Sequence, residues 1–331
     1  MESVVTIGNF DGVHAGHREL VRRARARADS SSARVVALVF DPHPSTRLRP
    51  DQAPARLTTF DRRAQLLAEA GVDEIVRLDP SDALLSMTPD EFVASVVRER
   101  HPVAIVEGPD FNYGKGRAGS IHTLIEEGRR MGFAVEIVQP VEAEISDEST
   151  VRVSSTLIRH LISAGRVRDA ALLLRRNHEI GGVVTPGDKR GRTIGFPTAN
   201  IVQQSPPVLL PAQGVYAAHA KLPDGRRLPA AVNIGARPTF DAPEPRIEVH
   251  IIDPASMSPA RAIPDYGWHC TIEIAAFVRD TVRFDGIDSL RAQLERDRAA
   301  AVRLLDFSPG PPMPDHHAAT IAPGAAVPAR S

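Results

Sequence analysis

The sequence predicts an α/β domain with a parallel sheet, followed by a small antiparallel β-barrel. In the first half, short β-branched runs alternate with segments whose apolar residues recur every three or four positions, which is typical of strands covered by helices. In the second half, glycine and proline become frequent, and strand-like runs follow one another without intervening helices. The length of 331 residues suits two domains, each with its own core.

The first domain is predicted to cover residues 1–177. Because a helical segment follows each strand-like run, neighbouring strands are expected to run parallel. The predicted strands are Val4–Ile7, Val35–Phe40, Glu74–Leu78, Val103–Glu107 and Ala134–Val138. The predicted helices are Arg18–Ala28, Phe60–Ala70, Pro89–Arg98 and Ile121–Met131.

The second domain is predicted to cover residues 178–306. Alternation such as Ile247, Val249 and Ile251 predicts strands with one buried face. A last helix is expected from Ile287 to Leu305, packed against the barrel through one apolar stripe. That stripe consists of Leu290, Leu294, Val302 and Leu305.

Composition excludes several classes of protein. Lys and Arg total 40 against 41 Asp and Glu, so no field of one sign favours nucleic acid or an anionic membrane. Cys270 is the only cysteine, which excludes an internal disulfide and predicts a small buried residue in a strand. No apolar run approaches the roughly 20 residues that span a bilayer, so a cytoplasmic setting is expected. Beyond Phe307 the chain is rich in Pro, Ala and Gly and lacks the hydrophobes to form a core, so residues 307–331 are predicted to be a disordered tail. The sequence does not determine whether the chain forms a homo-oligomer.

A nucleotide site is predicted where the first strand ends and a helix begins. The connecting turn reads Gly8-Asn9-Phe10-Asp11-Gly12-Val13-His14-Ala15-Gly16-His17. Its glycines let the backbone approach a ligand closely, and the free N–H groups of the helix start favour phosphate. His14 and His17 lie one helical turn apart, so both imidazoles can contact one ligand. Taken alone, this turn fits a pair of surface histidines or half of a weak metal site equally well.

A later segment favours phosphate binding. Ser154-Ser155-Thr156-Leu157-Ile158-Arg159 opens another helix with three hydroxyls, where simple capping needs only one. Together with the histidine turn, it resembles the nucleotidyltransferase superfamily. The string Phe10–His17 resembles the flavin branch of that superfamily. So does Gly108-Pro109-Asp110-Phe111-Asn112-Tyr113-Gly114.

The resemblance implies a nucleotidyltransferase-like parallel sheet that binds ATP while an acceptor phosphate attacks the α-phosphorus and pyrophosphate leaves. It implies catalytic contacts from His14, His17 and Arg159, and it places FMN near Asp110 and Phe111. The residues implied to bind ATP are Gly8, Phe10, Asp11, Gly12, Gly16, Ser154, Ser155 and Thr156.

A second phosphate site is predicted in the barrel domain. Its segment reads Gly187-Asp188-Lys189-Arg190-Gly191-Arg192-Thr193-Ile194-Gly195-Phe196-Pro197-Thr198-Ala199-Asn200. Closely spaced glycines and basic residues predict a cationic loop that wraps ATP phosphates. Thr198 and Asn200 stand two apart in an extended segment, so their oxygens face one side and suit Mg²⁺. A glycine-rich hairpin with a basic surface is the alternative.

The whole string resembles the riboflavin kinase family, which is built on a six-stranded barrel. The resemblance implies that Thr198 and Asn200 help to hold Mg-ATP. The other residues implied to bind ATP are Gly187, Asp188, Lys189, Gly191, Arg192, Thr193 and Gly195.

A general base for the kinase is expected on a later strand. In the segment Arg246–Ile251 the apolar residues take one face, which leaves Glu248 and His250 on the other. The resemblance implies Glu248 as the base, since the family's glutamate follows an Arg-Pro-Thr segment. Here that segment is Arg237-Pro238-Thr239. An ion pair with Arg246 is the alternative for Glu248. Arg279 is a weaker candidate for a phosphate or flavin contact.

The resemblance runs from about Val4 to Leu305 and implies two reactions: riboflavin with ATP gives FMN, and FMN with a second ATP gives FAD and pyrophosphate. The chain departs from the pattern before the barrel, at Arg175–His178, and around Pro254–Gly267. In one alternative, the barrel domain is a kinase, and the N-terminal half either has no activity or acts on another phosphorylated acceptor. A second alternative is a non-catalytic flavin-binding protein, which leaves the set Thr198, Asn200 and Glu248 without a purpose.

Overall fold

A computed structural model describes residues 1–187, 190–236, 245–253, 255, 257–260, 265–306 and 320–322. The described residues form two compact units. The first contains Met1–Ala143 and Thr150–Ser154, together with the strand at 320–322. The second contains Glu144–Ser149 and the chain from Ser155 to the last helix. Among the described residues, no helix is both long enough and apolar enough to cross a bilayer.

The first unit alternates strands and helices, as the sequence predicts. Up to residue 154, the chain forms β1 (Ser3–Gly8), α1 (Ala15–Ser31), β2 (Arg34–Phe40), α2 (Ser45–Leu48), α3 (Phe60–Glu69), β3 (Glu74–Leu78), α4 (Asp82–Leu85), α5 (Pro89–Arg100), β4 (Pro102–Glu107), β5 (Asn112–Tyr113), β6 (Gly119–Ser120), α6 (Ile121–Met131), β7 (Ala134–Ile137), β8 (Glu142–Glu144) and β9 (Thr150–Arg152). Short 3₁₀ turns lie at Pro50–Gln52 and Lys115–Arg117.

The strands of the first unit pair in the order β3-β2-β1-β4-β7, and all of these pairs are parallel. Both faces of the sheet are covered: Val4 packs in one core cluster and Val5 in the other. The chain extends the sheet in one direction from β1 to β3 and then returns to place β4 on the other side of β1. In open α/β sheets, ligands bind in the crevice at the carboxyl ends of such a reversal. The predicted histidine turn follows β1, and the predicted segment Gly108–Gly114 follows β4.

The second unit begins with two helices and continues as strands. Its elements are α7 (Ser155–Ser163), α8 (Val167–Leu174), β10 (His178–Thr185), α9 (Arg190–Thr193), β11 (Ala199–Val202), β12 (Gly214–Lys221), β13 (Arg227–Ala236), β14 (Pro245–Asp253), β15 (Ser258–Pro259), β16 (His269–Arg279) and α10 (Ile287–Asp306). Val167 of α8 belongs to the barrel's core cluster. Because of such contacts, the compact unit starts earlier than the domain boundary predicted at residue 177.

Among the described residues, six antiparallel strands close a barrel in the order β11-β10-β16-β12-β13-β14, and pairing of β11 with β14 completes the ring. This confirms the predicted barrel. Cys270 is fully buried in β16, as predicted, and burial raises the pKa of its thiol to about 12. Helix α10 packs outside the barrel through residues such as Ala301 and Leu305, which confirms the predicted docking of the last helix.

The predicted disordered tail needs a correction at three residues. Thr320–Ala322 forms β17, which runs parallel to β3 and pairs with Glu74–Val76. Backbone hydrogen bonding to an edge strand does not require the hydrophobic side chains whose scarcity predicted disorder. The rest of 307–331 lies outside the described residues.

Candidate active sites

The histidine turn places two imidazoles face to face at the start of α1. His14 caps the helix, and its Nδ1 accepts a hydrogen bond from the backbone N–H of His17 at 3.4 Å. The two rings are stacked, with centroids 3.7 Å apart and planes inclined by 16°. Because Nδ1 of His14 accepts, its neutral ring carries the proton on Nε2. The structure therefore brings the two predicted catalytic histidines together on one side of the turn.

The backbone of this turn adopts left-handed conformations at residues other than glycine. Phe10 has a φ of 47° and Val13 a φ of 40°, and both side chains are buried. Such conformations are strained, above all for β-branched valine, and concentrate at functional sites. At Gly16 an added Cβ would lie 3.2 Å from the His14 ring, so a side chain there would require the ring to shift slightly. The same Cβ position is 3.9 Å from the carbonyl oxygen of Val153, so the chain just before Ser154 lies beside the turn.

Asp11 is predicted to contact ATP, but its carboxylate is occupied within the protein. It accepts hydrogen bonds from the backbone N–H groups of Leu57 and Thr58, each at 3.0 Å, and from the Thr58 hydroxyl at 3.0 Å. The Asp11 side chain is also almost fully buried. Any contact between Asp11 and ATP would therefore come from its backbone, and its side chain holds the turn in shape.

Sequence reasoning missed a buried arginine under the same turn. Arg63 of α3 is 3% exposed and donates to the carbonyl oxygens of Asn9 at 2.9 Å and Phe40 at 3.1 Å. Asn9 follows β1 and Phe40 is the last residue of β2, so one guanidinium ties together the carboxyl ends of neighbouring strands. Apart from its helical position beside the core residue Ala64, nothing in the local sequence distinguishes Arg63 from a surface arginine.

The predicted flavin contacts follow β4. Asp110 is exposed and forms an ion pair with Arg152. Phe111 is partly buried, and its ring stacks on Tyr113 with centroids 5.4 Å apart. An exposed carboxylate and an aromatic ring therefore lie just beyond the carboxyl end of β4.

The serine-rich segment starts where the sequence predicts. Ser154 precedes α7, and Ser155, Thr156 and Arg159 lie in the first turns of that helix. Helix α7 belongs to the second compact unit, and the histidine turn belongs to the first. That these residues share one ATP with His14 and His17 stays a prediction.

The second site is a cavity of about 400 Å³ on the barrel. Its lining brings together predicted residues from separate segments, namely Gly191, Thr198, Asn200, Glu248 and Arg279. Sequence reasoning missed one apolar wall, formed by Ile194, Phe196, Val282, Phe284, Leu290 and Leu294. The lining therefore combines polar residues (the polar end) with apolar ones (the apolar wall), and the cavity volume lies in the range of small-molecule sites.

Strand register assembles the polar end of the cavity. Asn200 of β11 and Asn233 of β13 both lie directly opposite Glu248 of β14. The Asn233 amide is 3.5 Å from a Glu248 oxygen. Nε of Arg246 is 2.9 Å from Oδ1 of Asn200 and 3.1 Å from Oε1 of Glu248. The ion pair left open as an alternative for Glu248 is thus present, and it lies inside the cavity.

Arg279 lines the cavity with its guanidinium bound to α10. It forms a two-pronged ion pair with Asp297, at 2.6 and 2.8 Å, and Gln293 donates to the same carboxylate at 2.8 Å. Asp297 is 3% exposed, so the pair is largely shielded from water. Arg279 thereby fixes the last helix to β16 beside the apolar wall.

The glycine-rich loop approaches its neighbours too closely for side chains. A Cβ on Gly187 would lie 1.9 Å from the Asn200 amide, and a Cβ on Gly191 would lie 2.1 Å from the Phe196 carbonyl oxygen. Gly195 has a φ of 84°. Arg192 pairs with Asp265 at 2.9 Å, and Thr193 is exposed in α9. The predicted residues Asp188 and Lys189, and the segment Arg237-Pro238-Thr239, lie outside the described residues.

Comparison with known proteins assigns a family to each half. Residues 1–157 match the family model described as FAD synthetase, and residues 174–305 match the model described as riboflavin kinase. The bifunctional riboflavin kinase/FMN adenylyltransferase of Escherichia coli K12 is 34% identical over 299 residues, which cover 90% of this chain and 91% of the relative. The chain belongs to the bifunctional riboflavin kinase/FMN adenylyltransferase family.

Other relatives extend the same comparison. The bifunctional riboflavin kinase/FMN adenylyltransferase of Pseudomonas fluorescens is 35% identical over 303 residues, covering 91% of this chain and 92% of the relative. A crystal structure described as a macrolide-efflux protein from Streptococcus pneumoniae superposes with a TM-score of 0.81 at 32% identity, covering 91% of this chain and 94% of that one. The similarity to these proteins therefore covers the segments of both candidate sites.

In this flavokinase barrel, Gly191→Ala is expected to lower kcat/KM for the kinase by about a hundredfold, the effect of displacing a positioned group by roughly 1 Å. The reason is the 2.1 Å approach of the added Cβ to the Phe196 carbonyl oxygen, which forces the loop away from the cavity. Gly286→Ala is the matched control, because a Cβ there meets nothing within 4 Å. Steady-state kinetics of both variants would check this, and equal losses in both would contradict it.

A buried carboxyl at the crevice of the FAD synthetase half was also missed. Glu107 ends β4 and is 3% exposed. Its Oε1 accepts hydrogen bonds from the Ile7 backbone N–H at 2.5 Å and from the Thr6 hydroxyl at 3.3 Å. Residue pairing between β1 and β4 extends only to Val5 and Ile105. The Glu107 carboxyl therefore joins the two strands where they separate.

Burial raises the pKa of Glu107 from the ordinary 4.5 to about 8, against the opposing effect of its hydrogen bonds. Because the folded pKa lies above the unfolded one, the stabilisation from this group is present below about pH 4.5 and is lost as the pH rises towards 8. We expect the free energy of unfolding of the native chain to fall over this window relative to Glu107→Gln. Urea unfolding of both chains at several pH values measures the difference. A difference that does not change with pH would contradict the prediction.

Proposed function

We propose that the chain makes FAD from riboflavin in two ATP-dependent steps, with kinase activity in residues 178–306 and adenylyltransferase activity in residues 1–177. The observation that carries the proposal is the barrel cavity, where Glu248 lies opposite Asn200 beside an apolar wall. Family membership over about nine-tenths of the chain supports both steps. ATP is a substrate of each reaction.

In the kinase step, the isoalloxazine ring of riboflavin would lie against the apolar wall and direct its ribityl chain towards Glu248. Glu248 accepts the proton of the 5′-hydroxyl as that oxygen attacks the γ-phosphorus of ATP. The new O–P bond gives FMN, and the bond that breaks releases ADP. Asn233 orients the carboxylate from the neighbouring strand.

The residues of the cavity fit Mg²⁺. Thr198 and Asn200 would hold the ion through hard side-chain oxygens, and Mg²⁺ bound with ATP neutralises phosphoryl charge. The Asn200 oxygen already binds a cationic group, the guanidinium of Arg246. No cluster of three or more His, Cys, Asp or Glu suited to a metal occurs among the described residues. That absence of a protein cage agrees with an ion held mainly by phosphates and water.

In the adenylyltransferase step, the phosphate of FMN attacks the α-phosphorus of ATP and pyrophosphate leaves. His14 and His17 would donate hydrogen bonds to the phosphate oxygens as negative charge develops there. The backbone of Gly8, Phe10, Gly12 and Gly16 would surround the phosphates at the start of α1. We further propose that Ser154, Ser155, Thr156 and Arg159 complete this site and that Asp110 and Phe111 orient FMN.

The setting proposed for this chemistry is the cytoplasm, with riboflavin, FMN and ATP as the only partners. The nearly balanced charge, 40 Lys and Arg against 41 Asp and Glu, supports a protein without nucleic-acid or membrane partners. Self-association stays open.

Incubation of the purified chain with riboflavin, ATP and Mg²⁺, followed by chromatography of the flavins, tests the proposal. FMN should appear first and FAD later, and removal of Mg²⁺ with EDTA should stop both. Supplying FMN directly separates the second step from the first. Riboflavin that binds but stays unchanged would indicate a flavin-binding protein, and FMN without FAD would indicate that the N-terminal half serves another purpose.

A further inference from the structure

His250 lies at the next cavity-facing position of β14 after Glu248, and the kinase chemistry above does not use it. It lines the cavity and is 5% exposed. Its Nδ1 is 2.9 Å from the carbonyl oxygen of Pro197, the residue immediately before Thr198. Its ring also lies 5.2 Å from the Phe196 ring, measured between centroids. His250 therefore contacts the short segment that carries Thr198 into the cavity.

The surroundings of His250 decide where its proton lies. Its Nε2 is buried and makes no hydrogen bond to any of the described residues. A buried N–H without an acceptor is costlier than a buried lone pair, so the proton belongs on Nδ1, where the Pro197 carbonyl accepts it. Burial lowers the pKa of His250; the hydrogen bond to Pro197 opposes this shift, and the positive charge of Arg298 adds to it, so that the net direction is downward. The ring is therefore neutral and acts as a hydrogen-bond donor to the backbone of this segment.

The segment before β11 needs such a donor. Pairing between β11 and β14 begins at Ala199 and Val249. Thr198 and His250 lie one position beyond that last pair, where the ladder no longer holds the backbone. Here the His250 side chain, in place of hydrogen bonds between the strand backbones, holds the peptide between Pro197 and Thr198.

We infer that His250 is a positioning residue of the kinase site: its Nδ1–H holds the Pro197 carbonyl and thereby directs the Thr198 hydroxyl towards Mg-ATP. The inference rests on the proposed kinase function. It predicts that His250 affects binding of Mg-ATP more than binding of riboflavin, because its hydrogen bond acts on the peptide next to Thr198, while it touches the apolar wall through the Phe196 ring.

Three substitutions test which nitrogen matters. In asparagine the amide nitrogen is separated from Cα by the same number of bonds as Nδ1 of histidine, and in glutamine by the same number as Nε2. His250→Asn should stay within about threefold of the native KM for Mg-ATP, since the donor is kept. His250→Gln and His250→Ala should raise that KM by about tenfold, the effect of one lost hydrogen bond. The KM for riboflavin should change less than the KM for Mg-ATP in His250→Gln and His250→Ala.

Binding provides a readout that does not depend on turnover. Calorimetric titration of the full chain with Mg-ADP should give the same order, with His250→Asn close to native and His250→Gln and His250→Ala weaker. Adenylylation of supplied FMN and the melting temperature report whether each variant folds. If His250→Ala does not fold, the two amide variants, which differ by one methylene, still decide the question.

Two results would overturn the inference: Mg-ADP binding by a folded His250→Asn as weak as that by His250→Gln, or an equal loss of riboflavin affinity. Failure of the proposed function looks different, because the native chain itself would then make no FMN. In that case the relative Mg-ADP affinities of the three variants still show whether His250 positions Thr198.

Discussion

Replacing Glu248 with glutamine is expected to slow riboflavin phosphorylation strongly while leaving adenylylation of supplied FMN unchanged. Glutamine preserves the shape of the side chain but does not accept the proton of the attacking hydroxyl. General-base catalysis contributes about 10² to 10⁴ in rate, so kcat should fall by that factor. Initial rates of FMN formation at saturating riboflavin and ATP measure the effect.

Two control variants separate the base from its ion pair. Glu295→Gln removes an exposed carboxylate from α10 outside the cavity lining and should keep native kinase activity. Arg246→Met removes the cationic partner of Glu248 but keeps the carboxylate. If the function of Glu248 were only to pair with Arg246, Arg246→Met would lose as much activity as Glu248→Gln. That equality, or substantial kinase activity in Glu248→Gln, would argue against Glu248 as the base.

Replacing His17 with alanine is expected to remove FAD formation while FMN formation continues. His17 is the more accessible member of the stacked pair, since His14 is 6% exposed and only His17 is partly open to solvent. Loss of one donor to a developing oxyanion costs about 10² to 10³ in kcat. The substitution removes a side chain at the start of α1 without touching the barrel's cavity. Incubation with riboflavin and ATP should therefore lead to accumulation of FMN.

The matched control is His122→Ala, which removes an exposed histidine from α6 in the same unit. It should form FAD at the native rate. FAD formation that survives in His17→Ala would place the adenylyltransferase site away from the histidine turn. A loss of FMN formation as well would mean that the two activities are not separable in the way proposed.

Much of the fold and the positions of both proposed phosphate-binding segments were predictable because their signals are local. A strand that ends in glycines before a helix start presents N–H groups within a few residues, so the histidine turn could be recognised without knowing its surroundings. Alternating apolar residues in β14 likewise placed Glu248 and His250 on one face. Thr198 and Asn200 were predicted for the same reason.

The misplaced and missed residues depend on partners that are distant in the chain. Asp11 looked like a ligand contact because its partners, Leu57 and Thr58, are about 46 residues away and carry no sign of the pairing. Asp297 was not singled out in the sequence, because its partner Arg279 lies 18 residues away and meets it only when α10 docks. Asp297 is buried because α10 packs in this position.

The sequence by itself determined the two kinds of domain, the turns that present backbone N–H groups, and the side chains available to act there. Only the tertiary structure decided which side chains meet: closure of the barrel set Asn200 and Asn233 against Glu248, and docking of α10 completed the apolar wall. The physical reason is that strand register and helix docking follow from packing of the whole core. A shift of one residue in either strand would turn these side chains to the opposite face.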